Sequence, residues 1–133
     1  MNTYYVSDKE FMNSNLYKEF INDNPSRGSL RVRAYAANGA IPISGLKVVV
    51  STNYLNNKIV FFEGYTDESG VIEKISLPTP ELSMNNMEVP SNIVYDLLST
   101  YQNINQLYKI NVYEGVCVLQ NINVVPEGGY SGN

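Results

Sequence analysis

The sequence predicts an all-β protein, an antiparallel sandwich of seven short strands preceded by one short amphipathic helix. Three observations lead to this prediction. From residue 30 onward, apolar and polar side chains alternate with a period of two, which is typical of strands with one buried face. Turn-forming clusters of Gly, Pro, Asn and Asp separate the apolar runs. A helical period occurs only near the N-terminus.

The N-terminal segment is predicted to contain a short extended stretch and then a helix over residues 8–22. Ser7 precedes Glu10 by three residues, which is the spacing of a capping box, and Asn24-Pro25 ends the helical pattern. Two alternatives stay open: the helix covers an open end of its own sandwich, or it docks on a neighbouring subunit. One face of the predicted helix is an apolar stripe with i, i+4 spacing. It is formed by Met12, Leu16, Tyr17, Phe20 and Ile21.

Seven apolar runs are predicted as the strands of the sandwich. In the first run, Leu30, Val32 and Ala34 point to one side and the residues between them to the other. Residues 78–92 contain three prolines and no period, so we expect a long surface loop there. The seven runs are residues 30–36, 46–52, 58–66, 71–77, 93–101, 107–113 and 116–125.

The acidic stretch Asp67-Glu68-Ser69-Gly70 is predicted to be a turn. Asp and Ser bond the local backbone and Gly accepts a positive φ, which favours a type I turn with a glycine bulge that closes a hairpin. A calcium loop requires alternating oxygen ligands over about twelve residues. The two adjacent carboxylates do not fit that pattern.

The composition disfavours several classes of function. The 133 residues are enough for one domain, and no histidine is available for proton transfer or metal binding. The net charge is -4 and the nine basic residues are scattered along the sequence, so nucleic acid is not expected as a partner. The single Cys117 is predicted to be a packing cysteine within a strand.

Membrane insertion is not expected, because no run approaches the roughly 20 apolar residues that span a bilayer. The first thirty residues contain no basic segment followed by an apolar run, so a signal peptide is not predicted. We therefore expect synthesis in the cytoplasm, and later incorporation into a spore, a cell surface or a phage-like assembly.

Several stretches in chain order resemble the carboxypeptidase regulatory-like domain. The first is "GSLRVRAYAANGAIPISGLKVVVS", with an alternating strand and then Pro-Ile-x-Gly before the next strand. A Thr-Asp-x-x-Gly turn (residues 66–70) and Leu77-Pro78 follow. The family pattern closes with a Tyr-led strand and a final hairpin, and "YDLLSTY" and "YKINVYEGVCVLQNINVVPE" are similar to these. The resemblance covers about residues 26–126 and is greatest to the compact versions found in Firmicutes.

This resemblance implies a transthyretin-like Greek-key sandwich and says little about activity. The domains expected from it are an N-terminal appendage (residues 1–27), the sandwich (28–126) and a Gly-rich tail (127–133). A transthyretin-like hydrolase of purine catabolism is related in fold. This sequence lacks the histidines of that enzyme, and "GGYSGN" lacks the arginine of its C-terminal motif.

The collagen-adhesin repeats, also related in fold, carry an internal Lys–Asn isopeptide bond. Asn121, Asn123 and Glu63 supply two of the required parts. The first strand offers Arg31 and Arg33 in place of lysine, and arginine cannot be deprotonated in a protein to attack an amide. No isopeptide bond is therefore expected.

We expect a non-enzymatic structural or interaction protein, a self-assembling subunit or decoration module of a bacterial surface, spore or phage-like assembly. It would dock through its N-terminal arm and its strand edges. The alternative is a module that binds a glycan, a peptide or a cell-wall polymer through residues 78–92. No catalytic residue, metal ligand or cofactor is predicted. The candidate contact residues are Tyr4, Tyr5, Val6, Leu16, Phe20, Tyr54 and Tyr130.

Overall fold

The computed structural model describes residues 1–82 and 92–125 of the chain. It confirms the all-β sandwich with a short helical segment at its N-terminus. The helices are α1 (Lys9–Met12) and α2 (Asn15–Asp23). The strands are β1 (Thr3–Tyr5), β2 (Ser26–Ala36), β3 (Ile41–Pro42), β4 (Lys47–Tyr54), β5 (Asn57–Tyr65), β6 (Val71–Thr79), β7 (Ile93–Tyr101), β8 (Ile104–Val112) and β9 (Cys117–Asn123).

Two sheets form the sandwich. The larger sheet has five strands in the order β1-β5-β4-β7-β8. In the smaller sheet β2 is central, with β6 and β9 beside it and the two-residue β3 at its end. Two ladders, β1–β5 and β2–β9, are parallel, whereas the prediction had every ladder antiparallel. Side-chain alternation shows which face is buried but not the direction of the neighbouring strand.

The predicted single helix is two helices with a break at Ser14. Asp8, not Ser7, caps α1, since its side chain accepts a hydrogen bond from the Glu10 N–H at 3.0 Å. The Ser14 hydroxyl caps α2 by accepting from the Tyr17 N–H at 3.3 Å. Serine offers the backbone an alternative hydrogen bond, which explains the end of one helix and the start of the next.

The main core lies between the two sheets. Leu30 and Val32 of β2 face Val48 and Val50 of β4, and all four side chains are fully buried. Tyr95 of β7 is buried among them, and its hydroxyl donates a hydrogen bond of 2.6 Å to the Pro78 carbonyl of the smaller sheet.

A second apolar cluster joins the helices to the larger sheet. Phe11 and Phe20 of the helices are buried against Ile59 of β5. Phe61 and Ile93 pack against both clusters, so the helices continue the layer formed by the smaller sheet. The helical stripe thus covers its own sandwich, which was one of the two alternatives.

The acidic stretch is a turn, but it does not close a hairpin. Asp67 Oδ1 accepts hydrogen bonds from the N–H groups of Ser69 (2.9 Å) and Val71 (3.0 Å). Gly70 has a φ of +76°. The strands on either side, β5 and β6, belong to different sheets. The turn therefore carries the chain from the larger sheet to the smaller one.

This turn is held against the connection between β3 and β4. The Thr66 hydroxyl donates to the Ile43 carbonyl at 2.7 Å and accepts from the Leu46 N–H at 3.0 Å. A side chain at Gly70 would collide with the carbonyl oxygen of Ala34 and lie 3.0 Å from the Ile43 nitrogen. The Thr-Asp-x-x-Gly and Pro-Ile-x-Gly stretches of the sequence therefore contact each other in the fold.

We expect Gly70→Ala to destabilise the protein more than Gly45→Ala. Both glycines have a positive φ, but a Cβ at Gly45 meets nothing within 4 Å. Gly45→Ala should therefore lower the unfolding free energy by about 1–2 kcal/mol from backbone strain alone. Gly70→Ala adds the collision with Ala34, which should cost at least about 1 kcal/mol more. Urea unfolding of both variants measures the difference, and equal losses would contradict the close approach.

We expect Tyr95→Phe to lower the unfolding free energy by about 1–3 kcal/mol, because it leaves the buried Pro78 carbonyl without its donor. Tyr101→Phe is the matched control. It lies on the same strand with a half-buried ring, and its hydroxyl has no hydrogen bond within the described residues. The control should change stability by less than about 0.5 kcal/mol. Similar losses in the two variants would contradict a structural role for the Tyr95 hydroxyl.

Candidate interaction surfaces

Two shallow clefts lie beside the N-terminal segment and contain four of the predicted contact residues. Tyr5 and Val6 line a cleft of about 230 Å³ next to the bulged part of β5. Tyr4 and Leu16 line a second one of about 240 Å³ beside α1. In the described part of the chain, no group of three or more acidic or cysteine side chains is placed to hold a metal ion.

The other predicted contact residues have different surroundings. Phe20 is fully buried, in contact with Phe61 and Tyr54, so the prediction that it lies at a contact surface is wrong. The helical period correctly marked an apolar side chain but could not show that its own sheet covers it. Tyr130 and most of the 78–92 loop lie outside the described residues.

Tyr54 connects the larger sheet to the helical segment. Its hydroxyl donates a hydrogen bond of 2.7 Å to Asp23 Oδ2 at the end of α2. This hydrogen bond, with smaller contributions from desolvation and nearby carboxylates, raises the pKa of Tyr54 to about 12. A side chain proposed as a contact to another subunit thus makes a contact within its own chain.

An apolar stripe lies on the outer face of the larger sheet. Val49, Leu98 and Leu107 are direct neighbours across β4, β7 and β8, and together they form what we call the Leu107 stripe. Leu98 is 37% exposed and Leu107 is 59% exposed. This stripe was not predicted from the sequence, although Leu98 and Leu107 occupy outward positions in their strands, which is the signal that could have revealed it.

Two ion pairs flank the Leu107 stripe. Lys109 Nζ lies 2.6 Å from Asp96 Oδ1, and Lys47 Nζ lies 3.9 Å from Glu63 Oε2. Because these charges are neutralised in pairs, the outer face of the larger sheet is apolar at its centre and nearly neutral at its margins.

The free edge of β8 adjoins the Leu107 stripe. β8 is the terminal strand of the larger sheet and has nine residues, and no strand among the described residues pairs with its outer side. β1, the terminal strand at the opposite edge, has only three residues. An exposed edge strand presents unpaired backbone groups to a further strand.

The structure corrects two further expectations. Cys117 is exposed, whereas a packing cysteine was predicted, because its side chain lies on the outward side of β9. The basic residues are also less scattered than expected, since Arg27, Arg31 and Arg33 share the outward side of β2. Lys74 of the neighbouring strand β6 is exposed beside them.

The parts required for an isopeptide bond lie on different sheets. Glu63 faces outward from the larger sheet, whereas Asn121 and Asn123 are exposed on β9 of the smaller sheet. None of the described helices has the length and apolar character required to cross a bilayer.

No family model and no curated protein matches the sequence. Among solved structures, the 5-hydroxyisourate hydrolase of Klebsiella pneumoniae is similar over 78% of this chain and 94% of its own, with 14% identity and a TM-score of 0.48. Catechol 1,2-dioxygenase from Acinetobacter sp. ADP1 is similar over 91% of this chain, with 11% identity and a TM-score of 0.45. The similarity spans 56% of the dioxygenase.

The hydrolase contradicts the expectation that this chain is not an enzyme. A hydrolase is among the proteins whose architecture is similar, so architecture of this kind occurs in enzymes as well as in proteins without catalytic activity. The expectation, which came from the residues and above all from the absence of histidine, is therefore corrected. At 14% identity, the similarity carries no information about substrate or chemistry.

We expect Tyr54 to titrate near pH 12 in the folded protein and to shift toward its ordinary pKa of about 10 in Asp23→Asn. The Tyr54–Asp23 bond requires the protonated hydroxyl, so its stabilising effect is complete below about pH 10 and is lost as the pH rises to about 12. NMR of ring-labelled tyrosine, assigned with Tyr54→Phe, measures the midpoint. An unchanged midpoint in Asp23→Asn would exclude the hydrogen bond as the cause.

Proposed function

We propose that the chain is a structural or interaction protein that self-associates through the β8 edge of its larger sheet. The observation that carries this proposal is the combination of a nine-residue free edge with the Leu107 stripe beside it. A strand from a second copy can continue the ladder at this edge, and its apolar side chains can cover the stripe.

The other edges are less suitable for strand addition. β6 contains Pro78, which has no N–H to donate, and a register shift beside Glu73 and Lys74. Prolines, bulges and charges are the features that protect strand edges from pairing. On β9 the exposed Leu119 is paired in register with Arg31, so its apolar surface has a charged neighbour.

A two-fold arrangement fits the β8 edge. Antiparallel pairing of β8 with its copy would extend the five-stranded sheet into the second subunit and bring the two Leu107 stripes together. Such an interface is self-complementary, since each copy presents the same edge and the same apolar side chains. It also closes the edge and protects it from further addition.

We also propose the kind of assembly to which the chain belongs. The resemblance to the carboxypeptidase regulatory-like domain, and to its compact versions in Firmicutes, supports a building block of a bacterial surface, spore or phage-like assembly. In this proposal the N-terminal arm takes part indirectly. β1 pairs with residues 58–60 of β5 and covers that part of the opposite edge of the larger sheet, whereas no described strand covers the outer side of β8.

We expect Leu107→Lys to weaken self-association at least about tenfold, because it places a charge in the apolar centre of the interface. Leu119→Lys is the matched control, since Leu119 is 54% exposed on β9 and Leu107 is 59% exposed on β8. Sedimentation velocity over a concentration series measures the dissociation constant of the wild type and both variants.

The wild type should form a dimer that dissociates on dilution, and the Leu119→Lys variant should behave in the same way. Both substitutions replace an exposed side chain, so circular dichroism should show folded proteins. A wild type that stays monomeric at every concentration contradicts the proposal. Equal weakening by the two variants contradicts the assignment of the interface to β8.

A further inference from the structure

The outward side of the smaller sheet carries a cluster of positive charge. Arg27, Arg31 and Arg33 alternate along β2 on this side, and Lys74 is exposed on the neighbouring β6. We call this surface the basic face. It is the face of the sandwich opposite the Leu107 stripe, so the two surfaces are independent of each other.

The irregular pairing of β2 and β6 places Lys74 beside the arginines. The register shifts between Leu30 and Val32, so that Glu73 and Lys74 together oppose the single residue Arg31. Glu73 forms an exposed ion pair of 3.6 Å with Arg31. Arg27, Arg33 and Lys74 have no ion pair with any residue of the described ranges.

A shallow cleft of about 200 Å³ lies at one end of the basic face. Arg27 is fixed in it, because its Nε donates to the Ser76 hydroxyl at 3.0 Å. The cleft is lined by Arg27, Gly28, Ser29, Lys74, Ser76, Gly115 and Val116. At the other end the Arg33 guanidinium stacks on the Tyr35 ring, 4.9 Å from its centroid. Both guanidinium groups are therefore held in place before any ligand arrives.

Glu114, which directly precedes the cleft residue Gly115 in the sequence, makes its hydrogen bonds away from the cleft. Glu114 accepts hydrogen bonds from the Ser26 hydroxyl at 3.1 Å and from the Leu82 N–H at 2.8 Å. Ser26 is one residue from Arg27 in β2, so its side chain points to the opposite side of the strand. The Glu114 carboxylate is therefore engaged on that side.

The basic face contrasts with the rest of the chain. It holds four of the nine basic residues and one of the thirteen acidic residues, which leaves five basic and twelve acidic residues elsewhere in the sequence. Charges farther apart than a Debye length of about 8–10 Å are largely screened. A small ligand on the basic face therefore experiences the local positive charge rather than the negative net charge.

We propose that the basic face binds an extended acidic segment of a partner protein with carboxylates on alternate residues. Successive outward residues of a strand are about 6.6 Å apart, and alternate side chains of an extended peptide repeat at the same distance. Each arginine presents a planar fork of donors that matches a carboxylate. A peptide lying along β2 can thus place two successive carboxylates near Arg33 and Arg31. A third carboxylate, one alternate position further on past Ser29, can lie near Arg27.

The charge distribution favours a short acidic segment over a long anionic polymer. A polymer such as nucleic acid extends beyond the basic face and meets the acidic remainder of the surface, where repulsion opposes binding. A segment of six to eight residues ends within the length of β2, which has 11 residues. The basic face therefore selects a ligand by its length as well as by its charge.

The test is fluorescence anisotropy with a labelled eight-residue peptide of alternating Glu and Thr, at low and at physiological salt. The wild-type protein should bind this peptide, and the affinity should fall as salt rises. The double variant Arg33→Glu/Lys74→Glu should bind at least about tenfold more weakly. The matched control is Lys9→Glu/Lys18→Glu, which makes the same change of net charge on exposed residues of the helices and should bind like the wild type.

Any one of three outcomes with the acidic peptide would overturn the proposal, as would binding of an uncharged peptide. The wild type does not bind the peptide, the helix control weakens binding as much as the face variant, or a labelled single-stranded oligonucleotide binds more tightly than the peptide. A Gln-Thr peptide of the same length should not bind, and its binding would show that charge is not recognised. All four substituted residues are exposed, so the variants should stay folded by circular dichroism.

Discussion

The side chain of Tyr95 holds the three parts of this protein together. Its hydroxyl bonds the Pro78 carbonyl, which connects the larger sheet to the smaller one across the core. Its ring contacts Phe61 with centroids 5.5 Å apart, and Phe61 in turn contacts Phe20 of α2 at 5.3 Å. Burial raises the pKa of Tyr95 far above its usual value, so the hydroxyl keeps the proton that the hydrogen bond requires. Sheets and helices therefore form one packed unit around a single side chain.

This arrangement determines which surfaces are left for partners. The smaller sheet covers one part of the inner face of the larger sheet and the helices cover another, so the outer faces and the edges stay accessible. The two outer faces differ in chemistry. One has the apolar Leu107 stripe between neutralised ion pairs, and the other has the arginines of β2. A protein with two such faces can join copies of itself through one and hold an acidic partner on the other.

Much of the fold could be predicted from local patterns, but little of the candidate surfaces could. Period-two alternation located seven strands, and the Asp67–Gly70 turn was identified from the residues that form it. The surfaces depend on which strands become neighbours. Leu98 and Leu107 are nine residues apart in the sequence and form a patch only because β7 and β8 pair in that register. Phe20 was misassigned because a helical stripe shows that a side chain is apolar and not which surface buries it.

The sequence by itself determined the type of each element, the inward face of most strands and the position of the turns, because these follow from side-chain spacing and local backbone preference. Tertiary structure decided the partner of each strand. It made β9 parallel to β2, and it turned the predicted hairpin at Gly70 into a crossing between the sheets. It also gathered Lys74 with the arginines of β2 into one basic face. The physical reason is that strand pairing satisfies backbone groups far apart in the chain, and those groups are the same in every residue except proline.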